Sequence, residues 1–173
     1  MTLPFENSAS VKSPAWNDLC QGYKEGYILL KNYMDVDHTA LDVSEQYLYA
    51  RDRNFLTKET PATYNNRWLQ FTGTFQGKTK HIVNHVRDDL GASKAHIYAN
   101  WVQNGHQYGR HNDGMDVIIV QVWNTIAYCV ESPFGGRGHT SFVLSPGDAI
   151  YIRAGTWHTP VIFGERMSLS FSW

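Results

Sequence analysis

The hydrophobic pattern changes its period near residue 94. Before that point apolar residues recur at mixed, mostly helical spacing. After it they come in short runs bounded by turn residues. The first 12 residues are polar. Ser13-Pro14 predicts a helix start, with serine as N-cap and proline in the first turn, running to about Tyr23. Gly26 to Lys31 predicts a first strand. Ser44 to Leu56 predicts a second helix. Pro61 to Thr72 follows neither period, and Trp68 and Phe71 are expected to be buried there. Lys78 to Leu90 predicts a third helix, closed by Gly91 at C′.

From Ala95 onward eight β-rich runs follow: 95–102, 107–113, 117–124, 125–131, 140–145, 148–153, 158–163 and 166–173. Asn104-Gly105, Asp113-Gly114, Gly135-Gly136, Pro146-Gly147, Ala154-Gly155 and Gly164 separate them. Eight short strands at this spacing predict a sandwich or barrel, and eight antiparallel strands in two sheets make a jelly roll, as in cupins. The expectation is a mainly β chain with N-terminal helices. Residues 1–93 are mostly helical and cover one outer face; residues 94–173 form the core. The whole, 1–173, is one domain.

Composition narrows the class. The 173 residues are 42% apolar and 14% aromatic, enough for one sizeable core. A net charge of −1 gives no electrostatic footprint for nucleic acid. Cys20 and Cys129 make no disulfide framework and no CxxC pair, which fits a reducing, cytoplasmic setting. The start MTLPFENSASVKSP lacks the basic and apolar regions of a signal peptide, and no apolar run has the length of a membrane span.

Candidate chemistry sits in the β-rich part. Side chains at i and i+2 of a strand share a face, so His111 and Asp113 converge while Asn112 points away. A distant His158 can complete two imidazoles and one carboxylate on one face of a metal ion, leaving the opposite face open. The plain alternative is a surface His-Asp pair and an unrelated histidine. On the last strand Arg166, Ser168, Ser170 and Ser172 alternate with Met167, Leu169, Phe171 and Trp173. One face is small and polar, the other bulky and apolar. A buried arginine needs an anion, and its fork fits a carboxylate; a hydroxyl at Ser168 could donate a further bond. The plain alternative is a rim arginine. Tyr98 and Asn100 share a face of the first core strand and can reach the same pocket, as can Tyr128; each could equally be core. Trp157 reads as a packing residue. His81 and His85, one turn apart on the third helix, read as a solvated face. His38, His96, His106 and His139 have no constellation. Gly135-Gly136-Arg137-Gly138 opens no helix and reads as a turn rather than a phosphate loop.

The block His111-x-Asp113, His158, Arg166-x-Ser168 resembles the HxD…H…RxS pattern of the Fe(II)- and 2-oxoglutarate-dependent oxygenases. Leu144-Ser145-Pro146-Gly147-Asp148-Ala149-Ile150-Tyr151-Ile152 with Gly155-Thr156-Trp157-His158 is similar to their JmjC and cupin-like branch, as is Asp116 to Trp123. Gly26 to Tyr33 looks like the N-terminal strand of small oxygenases. The resemblance implies a double-stranded β-helix core. It implies Fe(II) on His111, Asp113 and His158, with 2-oxoglutarate as co-substrate held by Arg166 and Ser168. Use of O₂, release of succinate and CO₂, and hydroxylation of a substrate C–H bond follow from it as well. Two departures stand beside it. JmjC-type enzymes carry a Lys or Arg on the fourth core strand, and 125–130 has neither, so the duty falls to Arg166. The spacing from His158 to Arg166 is also short. The alternatives are a cupin-type metalloenzyme that does not use 2-oxoglutarate, and a non-catalytic cupin-like binding module. A small barrel with short loops suits a small molecule or an amino-acid or peptide side chain. Exposed edge strands allow a homodimer.

Overall fold

The computed structural model describes residues 2–7, 9–53, 56–63, 66–72, 75–100, 109–132 and 138–173, with 56–63 and 66–72 described by their backbone. Among the described residues ten strands form two antiparallel sheets. The elements in chain order are α1 (Trp16–Glu25), β1 (Tyr27–Leu30), α2 (Ala40–Asp52), β2 (Leu56–Thr63), β3 (Asn66–Thr72), α3 (Gly77–Leu90), β4 (Lys94–Asn100), β5 (Val117–Trp123), β6 (Ile126–Glu131), β7 (His139–Leu144), β8 (Ala149–Ile152), β9 (His158–Ile162) and β10 (Arg166–Ser172). The large sheet runs β1-β8-β5-β10-β4-β3-β2 and the small one β7-β6-β9.

Two apolar layers hold these sheets, and strand alternation explains both. Ile118, Val120, Met167, Leu169, Phe171 and Ile97 face the helices, where they meet Leu19, Val43, Val83, Val86 and Leu90. Val117, Ile119, Ile150 and Ile152 turn the other way, against Ile126, Tyr128, Val130 and Leu144 of the small sheet. The helices therefore cover the outer face of the large sheet, as expected, and the space between the sheets is left for the site. The polar face of β10 points into that space.

The N-terminal part departs from expectation in three places. Helix α1 begins at Trp16, with Ala15 at the N-cap. Ser13 acts one step earlier: its hydroxyl accepts from Ala15 N (3.1 Å) and donates to Asp89 (2.9 Å). Helix α2 begins at Ala40, not Ser44, because Thr39 and Asp42 form a capping box. It ends at Asp52, before Leu56, which opens a strand. The stretch 61–72 belongs to the hairpin β2–β3, which extends the large sheet by pairing β3 with β4. Residues 1–93 are thus less helical than expected. The expected burial of Trp68 and Phe71 lies outside the described side chains. Gly91 ends α3 in the left-handed region, with φ 66°.

Seven of the eight expected core strands appear as β4 to β10. The eighth, 107–113, is shorter than expected. Among its described residues it contributes a single bridge, His111 to His158, after which the chain bends away at Gly114. Residues 101–108 and 133–137, including Asn104-Gly105 and most of the Gly135–Gly138 turn, lie outside the described residues. Among the described residues no helix is long and apolar enough to cross a membrane.

The turn before β8 is built on Gly147. Its φ is 92°, and a Cβ there would lie 2.6 Å from the carbonyl oxygen of Met34. That carbonyl belongs to backbone, which cannot swing aside. Gly147→Ala is expected to destabilise the fold by about 1–3 kcal/mol, the usual cost of a strained φ. A urea melt with an unchanged midpoint would contradict this.

Candidate metal centre

The site begins with a backbone bridge. His111 N donates to His158 O (3.0 Å) and His158 N donates to His111 O (2.8 Å). This exchange sets the two imidazoles side by side, with ring centroids 4.3 Å apart and planes tilted by 60°. Each ring is then fixed by a carbonyl two residues upstream. His111 Nδ1 lies 2.9 Å from Gly109 O, and His158 Nδ1 lies 3.0 Å from Thr156 O. A carbonyl only accepts, so each Nδ1 carries the proton and each Nε2 offers its lone pair.

Asp113 completes the set. Its Oδ2 is 3.7 Å from His158 Nε2, and one donor atom from each of the three residues lies within 4.8 Å of the others. Burial holds the His158 pKa below its ordinary value. The bond to Thr156 and the charge of Asp113 oppose that shift, and His111 adds to it. His158 is therefore neutral at pH 7, the form that binds a metal. Two imidazole Nε2 atoms and one carboxylate converging this closely fit a divalent cation of the facial-triad type.

The loops that carry the ligands are tied to each other. Gly155 N donates to Asp113 O (2.8 Å). Buried Asp116 accepts from Ala154 N (2.9 Å) and from the Tyr151 hydroxyl. On the outer face, Arg110 lies over the Trp157 ring at 3.9 Å and forms a two-point ion pair with Glu131. Glu131 N also donates to Trp157 O. Residues 110 and 157, each just before a ligand histidine, are thereby clasped to the small sheet. Trp157 does pack, though against Arg110 rather than in a core. His81 and His85 lie on the exposed face of α3.

Arg166 starts β10 and is 4% exposed. Its Nε donates to Asn100 Oδ1 (2.7 Å), and its Nη1 donates to Tyr98 O (3.1 Å) and Ser168 Oγ (2.9 Å). Ser168 in turn donates to Gln121 Oε1 (2.6 Å), and Gln121 Nε2 donates to the carbonyls of Trp123 and Asn124. The single Ser168 proton is thus committed to Gln121. Ser168 and Asn100 hold the guanidinium; neither lines the cavity beside it. Gln121 reaches this position through a β-bulge: β10 pairs Met167 with Trp123 but Ser168 with Gln121, so Val122 is the extra residue.

One cavity of about 210 Å³ joins the two halves. His111, Asp113 and His158 line it together with Arg166, Tyr98 and Tyr128. Buried Tyr128 stands between the charges. Burial pushes its pKa up to about 12; Arg166 pulls it down and Asp113 pushes it up. The residues that the sequence reading did not single out are Gln121, Asp116 and the Arg110–Glu131 clasp. Gln121 did carry a signal, as the one polar residue in the run Val117 to Trp123.

Neither a family model nor a curated protein matches the sequence. Solved structures do match the fold. The Escherichia coli ribosomal oxygenase YcfD, in complex with cobalt and 2-oxoglutarate, superposes with a TM-score of 0.66 at 17% identity, over 91% of this chain and 50% of that one. This chain thus spans about half the length of YcfD. An oxidoreductase of the 2OG-Fe(II) oxygenase family from Burkholderia pseudomallei matches with a TM-score of 0.55 at 16% identity, over 90% of this chain and 88% of that one. SnoK, an α-ketoglutarate-dependent carbocyclase of nogalamycin biosynthesis, matches with a TM-score of 0.61 at 8% identity, over 96% and 87%. The chain has the double-stranded β-helix fold of these oxygenases.

Proposed function

We propose that this chain is a non-haem Fe(II)- and 2-oxoglutarate-dependent oxygenase, with residues 1–173 forming one oxygenase domain. The observation that carries this reading is the single cavity lined by both the triad and a buried, oriented arginine. His111, Asp113 and His158 would hold the iron. Iron with 2-oxoglutarate and O₂ supplies the oxidation: R–H, 2-oxoglutarate and O₂ give R–OH, succinate and CO₂.

The chain's own residues do the rest. Arg166 receives the far carboxylate of the co-substrate at the deep end of the cavity. Asn100, Ser168 and Gln121 fix the direction of its fork, so little ordering remains when the ligand arrives. Tyr98 and Tyr128 flank it, and the high pKa of Tyr128 keeps that hydroxyl a donor at every working pH. Tyr128 stands on the fourth core strand, where the JmjC pattern has a basic residue. The apolar side chains of Ile119 and Pro160 exclude water from the same space. The substrate class is a small molecule or an amino-acid side chain. The likeness to a ribosomal oxygenase makes a side chain of a protein substrate part of that class.

Anaerobic addition of Fe(II) and then 2-oxoglutarate is expected to produce a weak visible charge-transfer band. Iron binding without the band would favour a cupin-type metalloenzyme that does not use 2-oxoglutarate. No specific metal binding would favour a binding module.

A further inference from the structure

The cavity extends past the triad, and its outer end has chemistry of its own. His96, Ser170 and Ser172 line it, together with Met115 and Val117. These residues sit together for reasons of register. His96 pairs with Ser170 across β4 and β10, Ser170 pairs with Ile119, and Ser172 pairs with Val117. Ser170 is four residues from Arg166 along the strand, about 13 Å at the usual rise. The outer end is therefore separate from the anion grip.

Two observations define what it can take. First, the charged residues lining the cavity, among the described residues, are Asp113 and Arg166. Both are already assigned to the metal and co-substrate. Lys94 lies nearby but is exposed at the rim, with its Nζ 3.8 Å from Met115 Sδ. A charged group entering the outer end would find no further charged partner among the described lining residues, and burying an unpaired charge is costly. Second, His96 presents an unused hydrogen-bonding group. Its side chain lines the cavity, and its Nδ1 is buried without a hydrogen-bond partner among the described residues. Burial, and then Lys94, hold its pKa below the ordinary value, so the ring is neutral. A neutral imidazole and two hydroxyls can each donate or accept, while Met115 and Val117 supply an apolar wall.

We propose that this outer end is the substrate subsite and that it takes an uncharged hydrogen-bonding group, a carboxamide or a hydroxyl on a short apolar stem, against the His96 imidazole and the Ser170 hydroxyl. The inference rests on the oxygenase reading above and adds the substrate class. It separates neutral side chains and neutral small molecules from free amino acids, carboxylates and amines.

Three probes of equal size test it: propionamide, propionate and propylammonium. Each is titrated into protein loaded with Zn(II) and saturated with 2-oxoglutarate, and the ¹⁵N shifts of the His96 ring are followed. The His96 signals are identified by their loss in His96→Phe. Propionamide is expected to shift the His96 ring signals saturably and to bind at least tenfold more tightly than either charged probe. His96→Phe and, separately, Ser170→Val are expected to weaken propionamide at least tenfold while leaving 2-oxoglutarate affinity within twofold. Equal or tighter binding of propionate or propylammonium overturns the assignment. So does the absence of any propionamide shift in protein that binds 2-oxoglutarate; in that case the oxygenase reading stands. Failure to bind 2-oxoglutarate at all overturns both.

Discussion

Asp113→Ala is expected to remove specific divalent-metal binding, lowering affinity by more than about 100-fold. Changes in residues that merely orient ligands cost about 10–100-fold. In the proposed site Asp113 would be a direct donor and supplies the one carboxylate of the triad. Its replacement leaves two imidazoles, and no carboxylate, to hold a dication. The substitution is also clean. The Asp113 side chain is 38% exposed, and the structural duty of this residue falls on its carbonyl, which accepts from Gly155 N. The metal-free variant should therefore melt within a few degrees of the parent. His158→Ala would be harder to interpret, because that side chain is 2% exposed and its loss opens the core. The measurement is calorimetric titration with Co(II) in the absence of oxygen. Retention of metal affinity within tenfold would remove Asp113 from the ligand set.

Arg166→Met is the second large effect. Methionine keeps much of the stem's volume and deletes the charge. The variant is expected to bind Fe(II) normally and to lose about 100-fold in 2-oxoglutarate affinity. That factor corresponds to about 3 kcal/mol, within the range for truncating one partner of a desolvated, hydrogen-bonded charge pair. Arg166→Lys keeps the charge but cannot supply the Nε bond to Asn100 and the Nη1 bonds to Tyr98 and Ser168 together, so a smaller loss, about tenfold, is expected. Losing the guanidinium also removes its bonds to Asn100 Oδ1 and the Tyr98 carbonyl. Melting temperatures of both metal-loaded variants must accompany the titrations. Unchanged 2-oxoglutarate affinity in Arg166→Met would place the co-substrate elsewhere or dispense with it.

Much of this site was legible in the sequence because strand geometry is strict. A period of two fixes which side chains share a face, so His111 with Asp113, and Arg166 with Ser168, Ser170 and Ser172, could be grouped without coordinates. What escaped depends on contacts distant along the chain. The hairpin β2–β3 is rich in Thr, Asn and a proline, and its order comes from pairing with β4 rather than from its own apolar pattern. The start of α2 could have been read, since Thr39 and Asp42 have capping-box spacing; the apolar positions beginning later drew attention away. Gln121 lies in a strand buried throughout, where continuous apolar character hides which residues face inward. The bulge at Val122 then alters the alternation locally. Ser168 shows the limit of face assignment. The sequence places its hydroxyl on the inner face, but only the position of Gln121 decides where its proton goes.

The two histidines of the proposed triad are oriented by peptide carbonyls, those of Gly109 and Thr156. Many metal-bound histidines lean on a carboxylate, which a single codon change can exchange for an amide or remove. Here the tautomer of each ring is written into the main chain, and no one substitution can rewrite it. A lineage drifting toward a different metal, or a laboratory selection for one, has little to adjust behind the imidazoles. Variation should accumulate instead at the carboxylate position and in the residues bordering the open side of the ion, while the two histidines and the path of the backbone before them stay as they are.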